Sequence, residues 1–236
     1  MKLKILAVIP ARAGSKGVPR KNTKMLGGKP LLGWSIIEAK KSKLIDRLIL
    51  STEDDEIAEV GKSFGVDVPF KRPKELAGDK THTPEILIHA LNEIEKIDRI
   101  VYDIIVLLQP TVPFRKTEHI DKAIQQFISE KFDSLITVKK QDYPPWWMFK
   151  LEDKKLSTVF KYGNDVNVFN MERQEFPNIY KPNGSVYVTK TVLLRENNQL
   201  VNQKSCGYLI VEDEFQVNID TPLDFDVAES IAKRMS

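Results

Sequence analysis

A chain of 236 residues with a formal net charge of +3 can bury one α/β core with an excursion, and its charge is too small and dispersed for a nucleic-acid footprint or a polybasic membrane anchor. No apolar run reaches the length of a membrane span, and MKLKILAVIPARAG lacks a small-residue cleavage signature after its short apolar core, so the reading is a cytoplasmic protein without membrane or nucleic-acid partners. Cys206 is the only cysteine, which excludes an intramolecular disulfide and a multi-thiolate metal centre.

The first predicted element is LKILAVIP, apolar and β-branched enough for a strand buried on both faces. It runs into ARAGSKGVPRKN, which crowds Arg12, Lys16, Arg20 and Lys21 with Gly14, Ser15 and Gly17 into one loop. A loop at a strand's carboxyl end is where open α/β sheets bind ligands. Glycines admit backbone amides close to an anion, and Arg and Lys add charge-assisted hydrogen bonds, so the loop suits a polyphosphate; a solvated basic turn is the alternative. Neither G-x-G-x-x-G nor G-x-x-x-x-G-K-[ST] is present, which argues against dinucleotide and Walker-type sites.

Downstream, LLGWSIIEAKK reads as a helix, RLILST as a strand, DDEIAEVGKSFG as a helix and VDVPF as a strand, the rhythm of a doubly wound sheet. Thr52 with Asp55 can form a capping box for the second helix, and Gly65 can end it in a left-handed cap. A helix over residues 84–97, the strand YDIIVLLQ, a helix over 117–129 and the strand SLITV follow, and the core sheet reads as complete near residue 139. Residues 140–182 carry Pro144, Pro145, Trp146 and Trp147 without a clean period and read as an arm inserted in a single domain spanning 1–236. SVYVTK, GYLIV and EFQVNID read as strands, and Thr221, Pro222 and Asp224 open a last helix with proline at its first position. His89 and His119 sit on predicted helices without metal-like spacing, and Cys206 has no His in its sequence neighbourhood, so all three read as structural.

Seven blocks in order and register, the basic loop, LGGKPLLGWSI, STEDDEIAE, KRPKELAGD, LLQPTVPFR, KPNGSVYV and NIDTPLDFDVAE, resemble the CMP-sialic acid synthetases, or acylneuraminate cytidylyltransferases, across almost the whole chain. The resemblance implies an α/β Rossmann-like nucleotidyltransferase fold with a mostly parallel sheet flanked by helices. It also implies a homodimer whose arm packs on the partner, and transfer of CMP from CTP to a nine-carbon 2-keto sugar acid with release of pyrophosphate. Charge builds on the transferring phosphoryl group and the leaving pyrophosphate, so cations are the expected machinery. Arg12, Ser15, Lys16 and Lys21 are the right types for the triphosphate, and Ala11 belongs to the same loop. By resemblance Asn22 meets the ribose, Arg72 faces the cytosine edge, and Thr81 to Thr83 read the base through backbone groups, which makes His82 a poor catalytic candidate. Gln109, Arg173, Lys181, Asn183 and Tyr187 are the expected sugar-acid contacts, with Arg173 and Lys181 meeting its carboxylate, while Arg115 ties its loop together.

Three departures from the family pattern concern the metal and the acceptor. Family members commonly carry D-I-D-T, two carboxylates on one side of a strand that can hold Mg²⁺ against the phosphates; here Asn218-Ile219-Asp220-Thr221 leaves Asp220 as principal ligand and Asn218 as a neutral one. A family lysine near the start of the arm has no unambiguous counterpart, with Trp147 at the ungapped position and Lys150 three later. The paired phenylalanines of the N-acyl pocket fall near Leu200 and Val201. Two alternatives stay open: a CMP-Kdo synthetase, and a non-catalytic nucleotide-binding homologue.

Overall fold

The N-terminal apolar run forms β1 (Ile5–Pro10), a buried strand, in a computed structural model that describes residues 2–163, 166–211 and 217–235. A small hairpin of β2 (Met25–Leu26) and β3 (Lys29–Pro30) leads into α1 (Leu31–Lys41), β4 (Arg47–Ser51) and α2 (Asp55–Ser63). Then come α3 (Thr83–Asp98), β5 (Ile104–Leu107), α4 (Thr117–Ser129) and β6 (Ser134–Lys140). The arm holds a hairpin of β7 (Phe149–Glu152) and β8 (Lys155–Thr158), and the chain returns as β9 (Tyr180–Lys190), α5 (Thr191–Asn197), β10 (Cys206–Ile210) and α6 (Pro222–Met235).

The strand order is β10-β6-β9-β5-β1-β4, with β4, β1 and β5 mutually parallel and β10 parallel to β6. This is the expected Rossmann-like, mostly parallel sheet. The alternation along β1 sends Ile5, Ala7 and Ile9 to one face, against α1, α2 and α4, and Leu6 and Val8 to the other, against α3 and α5. A third apolar cluster packs α6 through Phe225, Ala228 and Ala232 against Leu26, Leu31 and Phe114. No helix among the described residues is long and apolar enough to cross a membrane.

Four sequence expectations change. The sheet is not complete at residue 139, because β9 inserts between β5 and β6, antiparallel to both. VDVPF is not a strand; it contributes one bridge, Asp67 to Ile49 on the outer side of β4, and Pro69 lacks the N–H that a ladder needs. EFQVNID is not a strand where it is described: residues 212–216 lie outside the described residues, and Ile219 donates its N–H to Thr111 O at 2.8 Å instead of joining the sheet. Finally, Asp54 rather than Thr52 caps α2, its Oδ1 accepting from Ile57 N at 2.9 Å, while Thr52 Oγ1 accepts from Asp54 N at 3.2 Å. A carboxylate there also complements the helix dipole. Gly65 does adopt the left-handed conformation, at φ 73°.

Trp146 and Trp147 find partners inside the arm. Trp146 stacks on Phe176 with centroids 5.4 Å apart, and Trp147 Nε1 donates to Val168 O at 2.9 Å. The apolar surface that the arm leaves exposed is instead Met148, Leu151, Leu156, Phe160 and Phe169.

The cap of α2 also receives Arg20 Nη1 at 3.0 Å. Replacing Asp54→Ala should cost about 1 kcal/mol and lower the melting temperature by roughly 2–4 °C in a domain of this size. A thermal scan that shows no change would remove the cap as a contributor to stability.

Candidate active site

The basic loop leaves β1 at Pro10 and is fastened from beneath by a buried ion pair. Glu53, just beyond β4, accepts from Ala13 N at 2.8 Å with one oxygen and from Arg72 Nη2 at 2.6 Å with the other, while Arg72 Nη2 also donates to Ala11 O at 2.9 Å. Arg72 is 2% exposed, and burial pulls its pKa down against the opposing effect of Glu53. Asn22 Nδ2 donates to Arg12 O at 2.9 Å, closing the loop on itself. On the open side, Arg12 Nη2 and Lys16 Nζ reach the two oxygens of Asp79 at 2.9 and 2.8 Å, so one carboxylate bridges both cations and is held below its usual range, chiefly by Lys16.

The far end of the loop docks on the C-terminal segment. Lys21 is buried, donates to Ile219 O and lies 3.7 Å from Asp220; desolvation lowers its pKa and Asp220 opposes that shift. Gly17 is required by this approach, because a side-chain carbon there would overlap the carbonyl oxygen of Asp220. The Thr221 and Asp224 side chains cap α6 reciprocally, with Thr221 N donating to Asp224 Oδ2 at 2.7 Å and Asp224 N to Thr221 Oγ1 at 3.2 Å. Together these elements wall a cavity of about 410 Å³. Ala11, Arg12, Ser15, Lys16, Lys21, Asn22, Arg72, Thr81 and Thr83, the expected nucleotide residues, all line it, together with Asp220, the expected principal metal ligand.

Gln109 lines this cavity and also a neighbouring one of about 260 Å³, shared with Lys181, Asn183, Tyr187 and Asn218. Arg115, fully buried with its pKa lowered to about 9 by desolvation, holds the intervening loop by donating from Nη2 to the carbonyls of Gln109 and of Val112, the latter at 2.9 Å. That is the loop-tying role expected of it. Opposite, β9 is irregular against β6 between Ile136 and Val138; Asn183 Oδ1 accepts from Thr137 Oγ1 at 2.6 Å, and Gly184 takes φ 76° with a side-chain carbon's position 2.9 Å from Gln109 Oε1. The left-handed φ favours glycine here. Burial raises the Tyr187 pKa.

Arg173 is not brought to either cavity. It sits in the arm, paired with Asp142 at 2.5 Å, beside a separate cavity. Trp147 and Lys150 also stay in the arm, Lys150 on Glu152, and Leu200 and Val201 line a cavity at the start of α3 and the end of α5. His89 packs edge-on against Phe70, and His119 Nδ1 accepts from Lys116 N at 3.3 Å at the start of α4, both structural as expected. Sequence reasoning missed Glu53, Asp79 and Lys139. Glu53 and Asp79 stand in quoted blocks, but their roles depend on contacts 40 to 67 residues away, and Lys139 is seen only through strand pairing.

For a metal, Asn218 and Asp220 are one residue apart and share a side, Asn218 Nδ2 donating to Asp220 Oδ2 at 2.6 Å, and the Asp220 side chain is 64% exposed at the cavity rim. Among the described residues no cluster of three or more His, Cys, Asp or Glu could hold a metal. A single exposed carboxylate fits Mg²⁺, which is commonly held by one or two carboxylates together with substrate phosphates and water.

The cytidylyltransferase family profile matches residues 6–226. The CMP-N,N'-diacetyllegionaminic acid synthase of Legionella pneumophila is 33% identical over 97% of this chain and 96% of its own. The N-acylneuraminate cytidylyltransferase of Escherichia coli is 32% identical over 99% of this chain, which spans 53% of that longer protein. In fold, CMP:2-keto-3-deoxy-manno-octonic acid synthetase, solved with CTP, superposes with a TM-score of 0.74 over 99% of this chain and all of its own, at 15% identity. With its phosphate-type loop, its two adjoining cavities and this relationship along nearly its full length, the chain belongs to the cytidylyltransferase family and is a nucleotidyltransferase.

Proposed function

We propose that this enzyme transfers CMP from CTP to a nonulosonic, sialic-acid-like 2-keto sugar acid in the cytoplasm, where CTP is made, and releases pyrophosphate. The observation that carries the reading is the pair of adjoining cavities, one lined by Arg12, Lys16 and Lys21, the other by amides, a phenol and lysine, with Gln109 at their boundary. The acceptor's anomeric hydroxyl attacks the α-phosphorus, an oxygen–phosphorus bond forms, the hydroxyl proton is released to solvent, and the bond to pyrophosphate breaks. The chain's contribution is to position and to stabilise charge. Arg12, Lys16 and Lys21 meet the triphosphate; the loop of residues 72–83 and Asn22 hold the nucleoside. Asp220, with Asn218 beside it, would hold Mg²⁺, which supplies further positive charge. The CMP-Kdo alternative has weaker support, since that likeness is one of fold at 15% identity, whereas the legionaminic acid synthase is 33% identical over nearly the whole chain.

Pyrophosphate release from CTP should appear with a member of the legionaminic, pseudaminic or sialic acid series and not with Kdo, and Asp220→Ala should lower the rate at least tenfold. CTP binding with no pyrophosphate release from any acid would select the non-catalytic reading instead.

Asp79 holds Arg12 and Lys16 before nucleotide arrives, so a triphosphate has to displace one carboxylate from two cations. Asp79→Asn should therefore lower the KM for CTP severalfold in initial-rate measurements, while an increase would show that Asp79 orients the cations rather than competing for them.

The arm is proposed to pack on a second copy of the chain, as the family resemblance implies, through its exposed Met148, Leu151, Leu156, Phe160 and Phe169. Light scattering at micromolar concentration should give twice the chain mass of 27.0 kDa. A monomer mass would leave that surface without its occupant.

A further inference from the structure

The β6–β9 register places Lys139 directly opposite Lys181. Residues paired in this way project from the same face of the sheet, and like charges there are destabilising. Both lysines line the 260 Å³ cavity. Among the described residues neither side chain has a salt bridge, and no carboxylate lines the cavity: the other polar side chains there are Gln109, Asn183, Tyr187 and Asn218. Asp142 is the acid that acts on Lys139, but its carboxylate is taken by Arg173 at 2.5 Å. Lys139 is half-buried, and burial together with Lys181 pulls its pKa down.

A pair of ammonium groups with no carboxylate among the described lining residues is arranged for an anion. A phosphate is the wrong occupant, because Arg12, Lys16 and Lys21 already serve the adjoining cavity. We infer that Lys139, with Lys181, binds the carboxylate of the acceptor and so orients the sugar acid for attack. This rests on the proposed reaction, in which the carboxylate carbon is bonded directly to the anomeric carbon bearing the attacking hydroxyl. Fixing the carboxylate at one end of the cavity therefore fixes the nucleophile near the Gln109 boundary. It also supplies a cation where the sequence at Trp147 does not.

The test is steady-state kinetics of Lys139→Met, with Lys139→Gln as a second variant and Lys139→Arg as the conservative one, using CTP and N,N'-diacetyllegionaminate or N-acetylneuraminate, whichever the wild type uses better. Loss of a charge-assisted contact should raise the KM for the acid about tenfold or more, leave the KM for CTP unchanged, and be largely restored by arginine. The melting temperature should not fall, since removing one of two facing cations relieves repulsion; a lysine kept for packing would lower it. An acid KM within twofold of wild type in both neutral variants overturns the assignment. If the wild type turns over neither acid, calorimetry with the same two acids separates the questions. Binding to wild type that is lost in Lys139→Met upholds the site while the reaction falls, and absence of binding to wild type overturns the site as well.

Discussion

The Arg72–Glu53 ion pair is the joint on which the nucleotide cavity depends. It joins the end of β4, the start of the basic loop and the segment carrying Asp79 and Thr81, through three hydrogen bonds of 2.6 to 2.9 Å. Arg72 is almost wholly buried, so the pair contributes little net stability over an apolar substitute, but removing one partner strands the other's charge at a cost of about 3–5 kcal/mol. The pair therefore acts as a specificity device for loop conformation. With Ala11 O and Ala13 N fixed, the intervening Arg12 can only project over the cavity toward Asp79. Here a residue expected to face the base has a second duty that sequence could not show.

The loop's other end is fixed by a different physical means. Lys21 is drawn under the C-terminal segment by the Ile219 carbonyl and the nearby Asp220 carboxylate, and Gly17 permits the backbones to touch. Ile219 in turn bonds to Thr111, whose loop is held from inside by Arg115. The basic loop, the 217–221 segment and the 109–115 loop thus form a chain of contacts around the cavity rim. Displacement of any one shifts the positions of Arg12, Gln109 and Asp220 together, which is the geometric requirement for a reaction catalysed by positioning.

The basic loop was legible because its determinants are local, a buried strand followed by a glycine-bearing basic turn, whereas Asn22, Arg72, Thr81 to Thr83 and Asp220 were placed at the site by the family resemblance. The helices α1 and α4 were equally legible, with apolar positions at helical period and no competing tertiary demand. What sequence could not supply was long-range pairing. The place of β9 between β5 and β6 follows from a crossover after the arm, and with it come the opposition of Lys139 to Lys181 and the left-handed Gly184 beside Gln109. The cap at Asp54 was missed for a smaller reason, since Thr52 and Asp55 matched the capping pattern while Asp54 offered the shorter path to Ile57 N.

The two cavities differ in how their cations are balanced, and this difference bears on selectivity. Around the nucleotide cavity each positive group has an acid near it, Asp79 for Arg12 and Lys16, Asp220 for Lys21, Glu53 for Arg72. A triphosphate entering there exchanges one set of anions for another. The acceptor cavity has no such reserve among its described lining residues, and Asn218 adds none. On the proposed reaction, a sugar without its carboxylate would leave the half-buried Lys139 facing the cavity without an anion, a penalty of the kind by which polar sites reject analogues more strongly than apolar ones do. Discrimination for an acid over a neutral sugar then follows from the charge balance of the cavity, while the choice among acids is left to the neutral side chains that line its remainder.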